Sequence, residues 1–535
     1  MDTVTSATLP STRQSVSALP APTARACHCC GLGGLLLVII LLAPSVVWIA
    51  RDRSVWPWDQ AWYGEVSVEL YRTLRDEPAR FWEMMLAALP AKPPGITWLG
   101  MWFVPLGQRV FGRIEPALML SILLCQAVTL LLLLRLGRRL VPGRPLVAMV
   151  PCAAVAAAPL FIGMSHQYFA EPLQTLAVAW IFCIAARGRE ISRLGAVAQL
   201  IAAVAIAMLA KVTTPIYCLL PGILAVGALV RKRPTEQPLS RGRIVANAIL
   251  LLAGLGLAVC ALAWYFRNAG HVYEHAAGSS SGTTSLLYGS DRPFLAKMWF
   301  WSDALRYSFV AAPLIWVLGA AVAVASTTGL VRAVCRRAGR LNRFDVLTIC
   351  SVLQVLLVLS LFSRVVNEET RYLLPLVVPL AVILMRVLAA FPDWSLASVL
   401  LVLFAGQWAW IQAQTQALIG PGPMLSPWLR TVDPDPTRAG EIDRLVRLTC
   451  DERTSGKIHT VGVEYPWFNP NSFSFFAAKA ALNGVPRCTY TSLGYAEQSE
   501  NTAWKRLTEA IRSPYFISID EAHQPPSDAF NVVSR

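Results

Sequence analysis

Long runs of apolar residues alternate with short polar segments over most of the chain. Most of the runs approach the roughly 20 residues that a helix needs to cross the hydrocarbon core of a membrane. Their number predicts an α-helical, polytopic membrane protein with about 11 to 13 spans. The eleven clearest runs cover residues 31–50, 117–134, 146–163, 172–186, 194–209, 212–230, 244–265, 309–331, 346–362, 373–390 and 395–410.

The composition supports a membrane protein. Of the 535 residues, 55% are hydrophobic and only 15% are charged, whereas roughly a quarter of the residues of soluble globular domains are charged. The formal net charge of +15 is typical of nucleic-acid binders, so the placement of the basic residues has to decide its meaning.

The basic residues gather in four short loops between the apolar runs. Short loops rich in Lys and Arg remain in the cytoplasm, so the charge indicates topology and not nucleic-acid binding. The first long loop, the turn at Lys211, the loops after Tyr265 and Phe362, and the C-terminal region are then predicted to face outward. The four cytoplasmic groups are Arg135, Arg138, Arg139, Arg144; Arg187, Arg189, Arg193; Arg231, Lys232, Arg233, Arg241, Arg243; and Arg332, Arg336, Arg337, Arg340, Arg343.

The polar segments divide the chain into regions. Residues 1–30 include a stretch rich in Ser, Thr, Pro and Ala and are predicted to form a disordered cytoplasmic tail. The first run is long for a signal peptide and lacks a clear cleavage site, so we interpret it as a retained span. The membrane domain is predicted over 31–413, with a first outer loop at 51–99 and a linker at 414–436.

Residues 437–535 have an ordinary soluble composition and predict a C-terminal α/β domain on the outer face. Strands are predicted at 459–463 and 515–519, and helices at 470–481 and 502–511. Cys450 and Cys488 both fall in this region, where an oxidising compartment permits a disulfide. Cys27, Cys29 and Cys30 lack the second half of a metal site, so no metal is predicted there.

Ionisable residues are concentrated at the outward ends of the runs and are nearly absent from their middles. Ion-driven transporters usually carry such residues at mid-membrane depth, so this pattern favours chemistry at the membrane surface. Each residue alone has a structural explanation: Asp59 as a helix cap, Lys92 as an interfacial anchor, Glu171 as a helix-dipole partner. The set comprises Asp59, Lys92, His166, Glu171, Lys211, Arg267, His271, Glu368, Glu369 and Arg371.

Several segments resemble, in order, a known enzyme family: DQAWYGEVSVELYRTL and AKPPGITWL in the first outer loop, then HQYFAEPLQTL, LAKVTTPIYCLLPG, WYFRN and ETRYLLPLVVPLAVIL. They are similar to the GT-C type, polyprenyl-phosphate-dependent glycosyltransferases, the superfamily of protein O-mannosyltransferases and lipid A aminoarabinose transferases. The likeness covers most of the membrane domain. It implies a GT-C-like fold and transfer of a sugar from a polyprenyl-phosphate donor to a hydroxyl on a lipid, glycan or protein.

The resemblance and the charge inventory together suggest roles for individual residues. Asp59 is the expected general base, and Glu171 is expected to position the acceptor or orient a cation. Tyr63 and Tyr372 are candidates for hydrogen bonds to sugar or phosphate. The cations expected to stabilise the leaving phosphate are Lys92, Lys211, Arg267 and Arg371.

One departure from the family pattern concerns metal binding. The family often has a second acidic residue after the first Asp, and here it is Gln60. No cofactor or metal ligand set is therefore predicted, although the chemistry admits a divalent cation without requiring one. The expected enzyme is an inverting hexosyl or pentosyl transferase of the plasma (inner) membrane, with its active site facing the periplasm or exterior.

Two other functions remain open from the sequence. One is a ligase of related fold that transfers a whole oligosaccharide. The other is a transporter or flippase of lipid-linked sugars without covalent chemistry. In the C-terminal region, Tyr465, Trp467 and Phe468 are open to interpretation as a saccharide platform or as packing residues, and we favour packing.

Overall fold

The computed structural model describes residues 24–188, 192–230, 240–281, 285, 288–335, 342–392, 394–420, 426–493 and 500–519. Residues 1–23 of the predicted tail, 520–535, and parts of three basic loops (189–191, 231–239 and 336–341) lie outside this range, as do the side chains of the first cysteine cluster.

The apolar runs form helices, as their length and composition predict. Seventeen α-helices precede the C-terminal region in the part of the chain that the structure describes: α1 Ala24–Arg51, α2 Trp58–Asp76, α3 Phe81–Ala87, α4 Gly95–Gly100, α5 Val104–Leu106, α6 Ile114–Leu140, α7 Pro145–Ala156, α8 Pro159–Ser165, α9 Glu171–Arg187, α10 Arg193–Ala210, α11 Thr214–Val230, α12 Arg241–Ser281, α13 Phe294–Phe309, α14 Ala312–Cys335, α15 Arg343–Phe362, α16 Val377–Leu388 and α17 Leu396–Thr415.

Not every predicted span is a straight helix. Within the described ranges, seven helical segments are long and apolar enough to cross a membrane, and up to nine if each of two bent pairs counts as one span. One pair, α7 and α8, bends by 59°, because Pro159 begins the second helix and cannot continue the first. A total of eleven spans requires α9 and α11, each of 17 residues, to cross the membrane as well. The number of eleven spans therefore stays a prediction.

The predicted first outer loop is largely helical. α2 and α3 lie in it, joined by a 3₁₀ turn at Pro78–Arg80, and α4 follows two prolines at its end. One face of α2 packs inward, with Val68 and Leu70 buried. A second irregular segment, the 3₁₀ helix Thr370–Leu376, precedes α16 and contains Pro375.

The C-terminal region is a small α/β unit. Its helices are α18 Thr437–Thr449, α19 Pro470–Ala481 and α20 Glu500–Ile511, and its strands are β1 Ile458–Val461, β2 Thr489–Ser492 and β3 Phe516–Ile517. The strands form a parallel sheet in the order β2-β1-β3. The sequence predicts α19, α20, β1 and β3 close to their observed places but misses α18 and β2.

The segment predicted as a linker packs against the membrane domain in its described part. Trp428 accepts a hydrogen bond from Gln167 at its carbonyl oxygen (2.7 Å), and the Val432 amide donates to Thr415 (2.8 Å). Leu429 and Val432 are buried. The part from Ser426 onward is therefore held against the membrane domain.

We predict that Cys450 and Cys488 form a disulfide, because their Cα atoms lie 5.7 Å apart and this distance is ordinary for a bridge. The expected proximity of the two residues is confirmed. Peptide mapping without reductant should recover one cross-linked peptide containing both cysteines. Quantitative alkylation of both thiols in the unreduced protein would contradict the pairing.

We predict that Gly95→Ala destabilises the membrane domain. A Cβ at Gly95 would lie 2.6 Å from the Leu209 carbonyl oxygen, and a backbone atom at the end of α10 cannot move aside like a side chain. The expected loss is about 1–3 kcal/mol, seen as a lower melting temperature in detergent. Gly256→Ala is the matched control, since a Cβ there meets nothing within 4 Å; equal melting temperatures of the two variants would refute the packing argument.

Candidate active site

Asp59 is held in the first turn of α2 by cations from two other segments. Its Oδ1 accepts a hydrogen bond from Lys92 Nζ at 2.7 Å, and its Oδ2 lies 3.6 Å from Arg371 Nη2. Burial raises the pKa of Asp59, but the charges of Lys92 and Arg371 outweigh it and hold the pKa well below the usual range. The carboxyl is therefore ionised at neutral pH.

Lys92 reaches Asp59 because its loop cannot continue as a helix. Pro93 and Pro94 follow it directly, and proline restricts the preceding residue to extended or turn conformations. The Lys92 amide donates a hydrogen bond to the Leu89 carbonyl oxygen at 2.9 Å. This bond closes a turn in which the φ of Leu89 is +48°. The ammonium group also lies 5.3 Å from the ring centroid of Trp62.

Glu171 and Lys211 form a second ion pair at 2.6 Å. Glu171 opens α9 beside Pro172, a residue favoured in the first turn of a helix, and Lys211 follows the end of α10. Arg371 links the two pairs, since its Nε lies 3.3 Å from Glu171 Oε1. Among the two roles considered for Glu171, this geometry favours orienting the cations.

The guanidinium of Arg371 is buried, with 9% of the residue exposed. It contacts Glu369 at 2.5 Å in addition to Asp59 and Glu171, and its Cζ lies 4.4 Å from the Phe169 ring centroid and 5.4 Å from that of Trp428. Cation–π contacts of this kind stabilise a partly desolvated cation. The cluster thus balances three carboxylates against three cations: Asp59, Glu171, Glu369, Lys92, Lys211 and Arg371.

Tyr63 and Tyr372 border the same cluster. Lys92 Nζ lies 5.8 Å from the Tyr63 ring centroid, and Lys211 Nζ lies 3.8 Å from that of Tyr372. Neither phenol hydroxyl makes a hydrogen bond to the described residues. Burial and the nearby carboxylates raise the pKa of Tyr63 well above its usual value, so its hydroxyl is a neutral donor.

Arg267 is the predicted site residue that the structure does not bring to the cluster. It is exposed on α12, because the helix turns Trp264 and Asn268 inward, where they donate to the carbonyl oxygens of Ala88 and Leu86. Both partners belong to the segment before Lys92. This part of the WYFRN motif therefore supports the first loop, and Arg267 is not among the cations around Asp59.

Gln60 has a structural role at the position where the family often has an acidic residue. Its amide donates to Gln167 Oε1 at 3.2 Å and accepts from the Tyr168 amide at 3.4 Å, which joins α2 to the segment before α9. Within the described ranges, metal-ligand spacing occurs for Cys450, His459 and Cys488, two of which are paired with each other.

Two cavities lie at the junction between the membrane domain and the C-terminal unit. One of about 650 Å³ has Trp48, Trp56 and Ile114 in its wall, and one of about 240 Å³ is lined by Pro57 and Trp467 among others. Asp59 lines neither of them. Its side chain is instead 27% exposed between Lys92 and Arg371.

The comparisons with known proteins identify the fold. No protein-family model matches the chain, and no curated protein matches it significantly. A crystal structure of ArnT from Cupriavidus metallidurans bound to undecaprenyl phosphate superposes with a TM-score of 0.50 at 14% identity, over 92% of this chain and 90% of that chain. The apo structure of the same protein gives a TM-score of 0.47 at 12% identity, over 86% and 90%. On the first of these matches, the chain has the GT-C-like fold that its motifs predict.

Proposed function

We propose that this chain is a membrane glycosyltransferase that moves a sugar from a polyprenyl-phosphate donor to a hydroxyl acceptor. The observation that carries the proposal is the contact of Asp59 with Lys92 and Arg371, formed on a GT-C-like fold. A base beside two cations supplies what transfer from a phosphate ester needs: a proton acceptor for the incoming hydroxyl and positive charge for the leaving group.

The donor phosphate binds at Lys92, Lys211 and Arg371. In the structure these cations are paired with carboxylates, and phosphate oxygens are equivalent partners that arginine can bind in a bidentate manner. The undecaprenyl phosphate in the ArnT crystal structure supports a polyprenyl phosphate as the ligand. When the donor head group enters the cluster, its phosphate oxygens therefore replace carboxylates as partners of these cations.

The exchange prepares Asp59 for its role. When phosphate oxygens take over Lys92 and Arg371, the charges that depress the pKa of Asp59 are shared with the ligand, and the carboxylate becomes a better proton acceptor. The acceptor oxygen then bonds to the anomeric carbon while the bond from that carbon to the phosphate oxygen breaks. The hydroxyl proton passes to Asp59 and the bond electrons leave with the lipid phosphate, with inversion at the anomeric carbon.

The other residues of the cluster have supporting roles in this scheme. Glu171 holds Lys211 and Arg371 in place, and the hydroxyl groups of Tyr63 and Tyr372 bind sugar or phosphate. The acceptor is a lipid, a glycan or a protein, and the sugar is a hexose or a pentose. The scheme requires no cofactor, and a divalent cation is optional in it.

We predict that Asp59→Asn lowers kcat by about 10²–10⁴-fold, the usual contribution of a general base. The amide keeps the size of the side chain but cannot take the proton. The measurement is sugar transfer from a polyprenyl-phosphate donor by the purified protein in proteoliposomes. A normal rate for the Asn variant would exclude Asp59 as the base.

Lys92→Ala and Arg371→Ala are the matched comparison for this experiment. They remove charges that bind the phosphate, so the affinity for polyprenyl phosphate should fall together with turnover, whereas Asp59→Asn should leave the affinity nearly intact. Arg267→Ala serves as the control cation and should leave both unchanged, because Arg267 lies outside the cluster. Equal loss of affinity in all four variants would contradict the assignment.

The proposal places the reaction at the outer face of the plasma membrane. Arginine-rich loops remain in the cytoplasm, and in the predicted topology they lie on the opposite side of the membrane from the loop that carries Asp59. A periplasmic reporter such as alkaline phosphatase fused after Arg535 should therefore be active, and a cytoplasmic reporter at the same position inactive. The opposite pair of results would put Asp59 on the wrong side of the membrane.

A further inference from the structure

A buried carboxylate of the C-terminal unit reaches the helix that carries Asp59. Glu464 follows β1 and is only 5% exposed. Its Oε2 accepts a hydrogen bond from the indole Nε1 of Trp58 at 2.7 Å, and its Oε1 accepts one from the hydroxyl of Ser492, the last residue of β2. Ser492 fixes the carboxylate within its own unit, and the second oxygen bonds to α2.

Trp58 has a backbone conformation that needs support. Its φ is +22°, in a region that large side chains rarely adopt, and such residues persist only where their surroundings determine them. Trp58 is the first residue of α2, directly before Asp59. The direction of the Asp59 side chain therefore depends on the conformation that the indole bond holds.

The hydrogen bonds of the first helical turn begin at the same place. The amides of Gln60 and Ala61 donate to the Pro57 carbonyl oxygen at 2.9 and 3.3 Å. Farther along α2, Arg487 of the C-terminal unit contacts Glu65 and Glu69, each at 2.5 Å. Among these contacts from the C-terminal unit, the bond of Glu464 to Trp58 is the one next to Asp59 in the chain.

An apolar residue would fill the position of Glu464 without the cost of burying a carboxylate. The hydrogen bond to Trp58 explains why a carboxylate occupies this position, which packing alone does not explain. We infer that Glu464 is a positioning residue for sugar transfer: by accepting the Trp58 indole hydrogen it holds the first turn of α2 so that Asp59 meets the acceptor hydroxyl. This inference rests on the function proposed above.

The test compares Glu464→Ala, Glu464→Gln and Trp58→Phe. Displacement of a catalytic group by about 1 Å can cost as much as 10²-fold in rate, so Glu464→Ala and Trp58→Phe should each lower kcat by about tenfold or more. Affinity for polyprenyl phosphate should stay within about twofold, because the cations are untouched. Glu464→Gln keeps an acceptor oxygen for the indole and should retain kcat within about twofold.

Two controls separate this role from general damage to the C-terminal unit. Glu452 is an exposed carboxylate of the same unit, and Glu452→Ala and Glu452→Gln should leave kcat unchanged. The double variant of Glu464→Ala and Trp58→Phe should be no slower than the slower single variant, because both remove the same bond. A wild-type kcat for Glu464→Ala, or an equal loss for Glu464→Gln and Glu464→Ala, would overturn the inference.

A measurement without turnover makes the inference testable apart from the proposed function. Hydrogen–deuterium exchange of a peptide covering residues 58–62 should be faster in Glu464→Ala and Trp58→Phe than in the wild type and Glu464→Gln. Unchanged exchange in Glu464→Ala would overturn the positioning role even in an active enzyme. If the wild type transfers no sugar, the proposed function fails, and the exchange rates alone decide whether Glu464 holds this turn.

Discussion

The rest of the site depends on the ion pairs of the buried Arg371 guanidinium. A charge removed from water is tolerated only when it is paired, and Arg371 has carboxylates at 2.5, 3.3 and 3.6 Å, those of Glu369, Glu171 and Asp59. These groups come from α2, α9 and the segment before α16. Their pairing therefore joins three separate parts of the chain at one place.

For the proposed function, the same pairing explains how a neutral cluster would accept an anionic head group. Carboxylates pair with Lys92, Lys211 and Arg371 and orient them in the structure, so in the proposed scheme the cations need no rearrangement when the donor arrives. In the proposed scheme the donor phosphate then competes with carboxylates for these cations, and Asp59 loses the contacts that make it a poor proton acceptor. Binding of the donor and activation of the base thus follow from one exchange of partners.

The sequence predicts the helices from local rules, whereas the GT-C-like fold and the roles of most cluster residues are what the resemblance of their motifs implies. Apolar length gives the helices, and residues such as Lys92 before two prolines or Glu171 beside Pro172 carry recognisable patterns. The structure leaves Arg267 exposed on α12 and outside the ion pairs around Asp59, since sequence order does not tell which side of α12 faces inward. The contributions of Trp428 and Glu464 depend on contacts between segments far apart in the chain, for which the sequence contains no local signal.

The central claim is that the cations around Asp59 form the site of the donor phosphate. A cryo-electron microscopy structure of the full chain with polyprenyl phosphate tests it most directly. The account predicts phosphate oxygens within hydrogen-bond distance of Lys92 and Arg371, with Asp59 released from at least one of them and turned toward the acceptor side. A phosphate bound elsewhere, with the ion pairs of Asp59 and Glu171 intact, would contradict it.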